Sequence, residues 1–166
     1  HKKAPLDKIR LLYVVRLNPE KGIYEFLKMF DKIELNAELS IVGNVKKAKI
    51  STKNVHLLGY VSDPLSLINI YDDHNIMILP SFTEAHPYVV DESLSRKRPV
   101  IIFEDITYIV KDKRGIFISK RNIDSFSETA EYIIKNYISI QKEMEKNMLP
   151  TKKKFIEQIS NIIEKN

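Results

Sequence analysis

The chain has no cysteine and no tryptophan. Without cysteine, disulfides and thiolate metal sites are excluded, which fits a reducing compartment. Glycine is scarce, with 4 in 166 residues. A Walker phosphate loop and a dinucleotide-binding fingerprint both need glycines at fixed spacing, and neither is present. No run of about 18 apolar residues exists to cross a bilayer. The N-terminus shows no signal-peptide pattern. The chain starts at His1 without a methionine, so it is expected to be part of a longer protein.

The composition suits one domain. Hydrophobic residues make up 43% of the chain, enough for a substantial core at this length. The formal net charge is +5, which can attract phosphorylated molecules, nucleic acid or anionic lipid. The lysines are spread along the chain, and the densest cluster is Lys152-Lys153-Lys154 near its end. There is no recognition helix, RNA-binding aromatic motif or zinc-finger spacing, so nucleic acid is not an expected partner. The charge reads first as solvated surface, and second as a phosphate site with mild attraction to a membrane face.

Short apolar runs alternate with helical patterns. Strands are expected at Ile9 to Val15, Glu38 to Val42, Val55 to Leu58, Ile76 to Leu79, Val100 to Phe103 and Gly115 to Ile118. Ile23, Phe26, Leu27, Phe30 and Ile33 recur at helical spacing, Asp63-Pro64 starts a second helix, and Pro87 to Ser95 forms a third. From Ser125 to Met144 one long helical stripe is expected, and after Pro150 a final amphipathic helix carries Phe155, Ile159, Ile162 and Ile163. The pattern predicts an α/β fold: a doubly wound, Rossmann-like parallel sheet of about six strands, helices on both faces, and a C-terminal helical tail over about 125–166. Ligands of such sheets bind outside the carboxyl ends of the strands.

Two of those strand-end loops carry suggestive chemistry. Arg16 and Lys21 flank the first loop, just before Gly22 and a helix. A planar guanidinium and a mobile ammonium can clamp a diphosphate, aided by the N–H groups of the helix start. The loop after the fourth strand carries Glu84, and Glu92 lies eight residues on, two turns along a helix. A carboxylate before a helix can simply cap it. The alternative is that both carboxylates accept hydroxyls of one ligand, a sugar at one and a ribose at the other. The backbone from Ala85 to Tyr88 can then meet phosphate at the helix start.

Several pieces in order resemble the C-terminal domain of the group 1 (family 4) glycosyltransferases, which have the two-domain GT-B fold. They are Val15 to Gly22, Ile41-Val42-Gly43, Leu57-Leu58-Gly59-Tyr60-Val61, Leu79-Pro80-Ser81 leading into Glu84-x7-Glu92, and Arg98-Pro99-Val100-Ile101. The similarity runs from about Ile9 to Ile118. It implies that the whole chain, 1–166, is a single nucleotide-sugar donor-binding half, with an N-terminal acceptor domain outside it. The implied catalytic residues are Arg16, Lys21 and Glu84: the two cations on the donor diphosphate, and Glu84 on the transferred sugar. The implied donor-binding residues are Glu92 on the ribose, Gly59, Tyr60 and Val61 near the base, and Ala85, His86, Pro87, Tyr88 and Val89 at the phosphate-binding helix start. The sequence departs from the family at Ala85, at His86-Pro87-Tyr88 and at Arg96-Lys97-Arg98, which leaves sugar identity open.

The resemblance implies sugar transfer with retention at the anomeric carbon, with no obligatory metal or cofactor and a UDP- or GDP-sugar as donor. It points to bacterial polysaccharide, lipopolysaccharide or glycolipid synthesis, in the cytoplasm or at the inner membrane face, with a lipid-linked acceptor. The chain alone is expected to be inactive. Two rivals stand beside it: a nucleotide-binding module without transfer, and a nucleotide-sugar epimerase on the same fold. Elsewhere, His56 and His74 lack metal-ligand spacing and read as strand-edge and helix-end residues. Asp72-Asp73 reads as a solvated helix end, and Asp105 and Thr107 as loop residues that can line the crevice.

Overall fold

All six apolar runs become strands: β1 (Ile9–Val14), β2 (Ala37–Val42), β3 (Val55–Gly59), β4 (Ile76–Leu79), β5 (Val100–Phe103) and β6 (Ile116–Ser119). The structure is a computed structural model that describes residues 2–14, 19–44 and 52–149. Arg16, the Lys152 to Lys154 run and the helix expected from Phe155 lie outside the described residues. Every strand pair is parallel, in the order β3-β2-β1-β4-β5-β6. Four strands are nearly continuous in apolar residues because layers cover both faces of a parallel sheet. Leu11, Leu12, Tyr13, Ile76 to Leu79 and Val100 to Phe103 are all buried.

The helices are α1 (Ile23–Phe30), α2 (Pro64–Asp73), α3 (Tyr88–Ser95), α4 (Ile123–Lys135) and α5 (Tyr137–Met144), with 3-10 turns at Pro19–Lys21 and Glu104–Ile109. From β1 the chain steps outward to β2, and from β4 it steps the opposite way to β5. Right-handed crossovers therefore put α1 and α3 on opposite faces. The Phe26 ring of α1 meets Phe126 of α4 at 5.1 Å and Phe103 of β5 at 6.2 Å, so α4 shares the α1 face. Strand order reverses between β1 and β4, and their loops flank a crevice at the carboxyl end of the sheet.

Local chemistry sets the helix ends. Asp63 caps α2 by accepting from Ser66 N–H at 2.7 Å, with Pro64 as the first helical residue. The single stripe expected from Ser125 to Met144 is two helices instead. It begins earlier, where Asn122 caps α4, and it breaks at Asn136. Asn136 Nδ2 donates back to the Tyr132 carbonyl at 2.8 Å, a side-chain bond that competes with helix continuation. The break delivers the buried Tyr137 to the sheet, where its hydroxyl donates to the Asn75 carbonyl at 2.7 Å.

Asp72 is not a solvated helix end. It is buried, and its carboxylate accepts from Arg96 Nε at 3.0 Å and Nη2 at 2.5 Å. The neighbouring Arg98 is fully buried and donates to the carbonyls of Lys2, Tyr71, Asp72 and Arg96. Asp73 is the exposed member of the pair and binds Lys2. Asp105 binds Arg121 at 2.7 Å.

At the switch point, Gly22 caps α1 with φ 64. A Cβ there would lie 2.0 Å from the Pro80 carbonyl oxygen. Only glycine permits both the left-handed backbone and this approach. Gly22→Ala is expected to lower unfolding free energy by about 1–3 kcal/mol in urea titrations; an unchanged midpoint would mean that the loops are not pressed together.

Burial raises the Asp72 pKa, but the bonds and charge of Arg96, then Arg98, outweigh it and hold the carboxyl below its ordinary value of 3.8. Its contribution is complete above that value and is lost as pH falls through the lower folded pKa. As pH falls below about 4, Asp72→Asn should therefore lose less stability than the wild type. Parallel acid-unfolding curves would contradict this.

Candidate functional site in the β1–β4 crevice

The loop after β4 is fastened on three sides. Phe82 N–H donates to the Glu20 carbonyl at 3.0 Å, tying it to the loop before α1. Arg121 Nη2 donates to the Ser81 carbonyl at 2.9 Å, and the guanidinium lies 4.0 Å from the Phe82 ring centre and 4.6 Å from that of Phe103. The Tyr108 hydroxyl accepts from Glu84 N–H at 2.9 Å and donates to the Glu84 carbonyl at 2.7 Å. A loop pinned this way can hold a side chain in one place.

That side chain is Glu84. Its Oε1 accepts from Lys21 Nζ at 2.8 Å and from Ser81 Oγ at 2.6 Å. The carboxylate side chain is only 8% exposed and the lysine 20%. Glu84 is therefore not the cap of α3. Pro87 occupies the cap position and makes no side-chain cap bond, and among the described residues no side chain satisfies the first N–H groups of that helix. Below the crevice, the Tyr13 hydroxyl is buried and has no hydrogen-bond partner among the described residues. Burial, then the charge of Glu84, then Tyr24, push its pKa well above 10.0, so it stays protonated.

Glu92 projects from α3 toward α2, and the Tyr71 hydroxyl donates to its Oε2 at 2.9 Å. Burial and then the Glu92 charge drive the Tyr71 pKa far up, which keeps that proton in place. Its residue is exposed, so the carboxylate keeps acceptor capacity for a ligand. Gly59, Tyr60 and Val61 lie at the end of edge strand β3, with β2 and β1 between them and β4. Gly59 has φ 74 and open space around it. Tyr60 is 78% exposed and Val61 is half-buried. Ala85, His86, Tyr88 and Val89 crowd the start of α3 with Pro87, and the His86 and Tyr88 rings meet edge to face at 4.7 Å.

The structure thus joins Lys21 to Glu84 directly and places Glu92 on the same loop-helix unit. Among the described residues, no hydrogen bond or ion pair joins Gly59, Tyr60 or Val61 to that pair, and Arg16 lies outside the described residues. Ser81, Tyr108 and Arg121 were not singled out from the sequence as site residues. Their partners lie 3, 24 and 40 residues away along the chain, and no short motif announces such pairings. Among the described residues, no group of three or more His, Asp or Glu side chains could hold a metal ion, and no helix is long and apolar enough to cross a membrane.

A doubly wound parallel sheet with a cation–carboxylate pair and an uncapped helix at its switch point defines an α/β protein with a phosphate-compatible crevice. Comparison with known proteins gives the family. The profile described as glycosyl transferases group 1 matches residues 8–136, and the chain belongs to that family. Among curated proteins it is 29% identical over 97 residues to the putative teichuronic acid biosynthesis glycosyltransferase TuaC of Bacillus subtilis, spanning 58% of this chain and 25% of that one. Among solved structures it resembles sucrose-phosphate synthase from Thermosynechococcus elongatus, with a TM-score of 0.74, 17% identity, and coverage of 97% of this chain and 46% of that one. Anabaena HepE, solved in complex with UDP and glucose, gives a TM-score of 0.71 at 13% identity, covering 96% and 49%. The chain spans about a quarter of the curated relative and about half of these structures. At such identities the structural likeness shows the GT-B-type fold.

The Lys21–Glu84 pair should be strongly coupled. Lys21→Met leaves a largely buried carboxylate with Ser81 as its remaining bonded partner, whereas adding Glu84→Gln removes the stranded charge. The double variant is expected to be more stable than Lys21→Met alone by about 1–3 kcal/mol in denaturant titrations. Additive losses would mean that the two side chains do not depend on one another.

Proposed function

We propose that residues 1–166 form the donor-binding half of a retaining glycosyltransferase, and that the acceptor is held by an N-terminal domain outside this chain. The observation that carries this is the Lys21–Glu84 pair beside the uncapped start of α3. It brings a cation, a sugar-hydroxyl acceptor and free helix N–H groups to the switch point together. A nucleotide-diphosphate sugar needs all three.

In this reading the diphosphate sits against the helix start from Ala85 to Val89. Lys21, with Arg16 from the same loop, neutralises its charge. Lys21 exchanges Glu84 for phosphate oxygens, and the released carboxylate accepts hydroxyls of the transferred sugar. Glu92, oriented by Tyr71, accepts the ribose hydroxyls, and the base lies along Gly59, Tyr60 and Val61. As the glycosidic bond breaks, negative charge grows on the departing diphosphate. Cations already in place stabilise that state more than the ground state. Glu84 and Glu92 position the donor and do not act as a hydrolase acid and nucleophile. The two cations take the role a metal ion would otherwise fill.

UDP is the favoured nucleotide, supported by the UDP-bound HepE structure. Synthesis of a bacterial polysaccharide is supported by the teichuronic acid biosynthesis relative. A lipid-linked acceptor would bring this basic chain to the cytoplasmic membrane face.

Sugar transfer by the full-length protein, measured with UDP- and GDP-sugars, tests the assignment. Glu84→Gln is expected to lower kcat by about 100-fold or more, as for loss of a transition-state contact, while nucleotide affinity changes little. Transfer at the wild-type rate by that variant would remove Glu84 from the reaction. Release of free sugar or its epimer without acceptor would point to a hydrolytic or epimerising enzyme.

A further inference from the structure

A second charged cluster lies beside the donor crevice. Asp91, in the first turn of α3, is a nearly buried carboxylate. Lys113 Nζ approaches it at 2.6 Å and His86 Nε2 at 3.5 Å. Among the described residues, no oriented hydrogen bond reaches either carboxylate oxygen. A buried acid held this way ties the Ala85–Pro87 loop to the segment after the Glu104–Ile109 turn, because a stranded charge would be costly.

Between these two segments opens a pocket of about 30 Å³, whose walls include His86, Val90, Tyr108, Ile109, Lys111 and Lys113. Lys113 is committed to Asp91. Lys111 has no acidic partner among the described residues. One ammonium, that of Lys111, is therefore in surplus. The imidazole, 47% exposed at its side chain, and the Tyr88 ring, in a residue 69% exposed, form an aromatic rim. Such a rim offers a face to a sugar ring, while the cations suit an oxyanion.

We infer that this pocket is a subsite for an anionic substituent, a carboxylate or a phosphate monoester, carried on a sugar of the donor or acceptor. Lys111 is its charge-recognition residue and the His86–Tyr88 rim supports the ring. The pocket borders the proposed diphosphate position through Ala85, His86 and Pro87, and Lys21 is not among its lining residues. Tyr108, whose hydroxyl clasps the Glu84 backbone, forms part of its wall. This inference rests on the donor-site reading for its biological meaning, but it can fail separately.

The test is a titration of the protein with sodium glucuronate, glucose and inorganic phosphate, and separately with UDP, followed by backbone NMR. Glucuronate or phosphate should shift His86, Lys111 and Lys113, while glucose should not. Tighter glucuronate binding identifies an acidic sugar, and tighter phosphate binding a phosphorylated one. Lys111→Gln should weaken the anion about fivefold or more while leaving UDP affinity within about twofold. Absence of anion shifts at these residues overturns the subsite. Equal weakening of UDP by Lys111→Gln also overturns it, because the pocket would then belong to the diphosphate site. Shifts by UDP only far from Lys21 and the start of α3 would instead count against the donor-site reading.

Discussion

The approach of Gly22 to the Pro80 carbonyl is the constraint on which the rest of the crevice depends. It presses the loop of β1 against the loop of β4 where strand order reverses. Any side chain at position 22 would force the loops apart, and Lys21 would then lose its 2.8 Å contact with Glu84. Phe82 and Arg121 act in the same direction, one by a main-chain bond to Glu20 and the other by holding the Ser81 carbonyl. The geometry of the site is thus a property of two loops locked together rather than of either motif alone.

The Lys21–Glu84 pair has a second consequence. Two opposite charges that satisfy one another in a half-closed crevice are stable without ligand, yet each remains able to change partners. A diphosphate offers the lysine a better acceptor, and sugar hydroxyls offer the carboxylate donors. On the proposed reading, donor binding would exchange one ion pair for two sets of charge-assisted bonds, so diphosphate and sugar would each add to recognition. The uncapped start of α3 adds donors that no side chain among the described residues occupies.

Much of the fold was legible in the sequence because its signal is local. Ile76 to Leu79 and Val100 to Phe103 are apolar without interruption, as central strands of a covered parallel sheet must be. Asp63-Pro64 announced α2 through its cap. The Ser125 to Met144 stripe misled because its apolar period continues through Asn136, whose side chain ends the helix by a bond that periodicity does not encode. Asp72 misled for a related reason: its partners Arg96 and Arg98 lie 24 and 26 residues on. At the site, Glu84 could be read as a helix cap or a ligand acceptor until its partners were seen. The supports at Tyr108, Arg121 and Ser81 depend on tertiary contacts and carry no sequence signature.

The central claim is that Lys21 changes partners when a nucleotide diphosphate enters the β1–β4 crevice. A crystal structure of the protein with UDP bound tests it most directly. The account predicts phosphates against the first turn of α3, with Lys21 Nζ moved from Glu84 onto their oxygens. UDP bound elsewhere, with the Lys21–Glu84 contact unchanged, would contradict it.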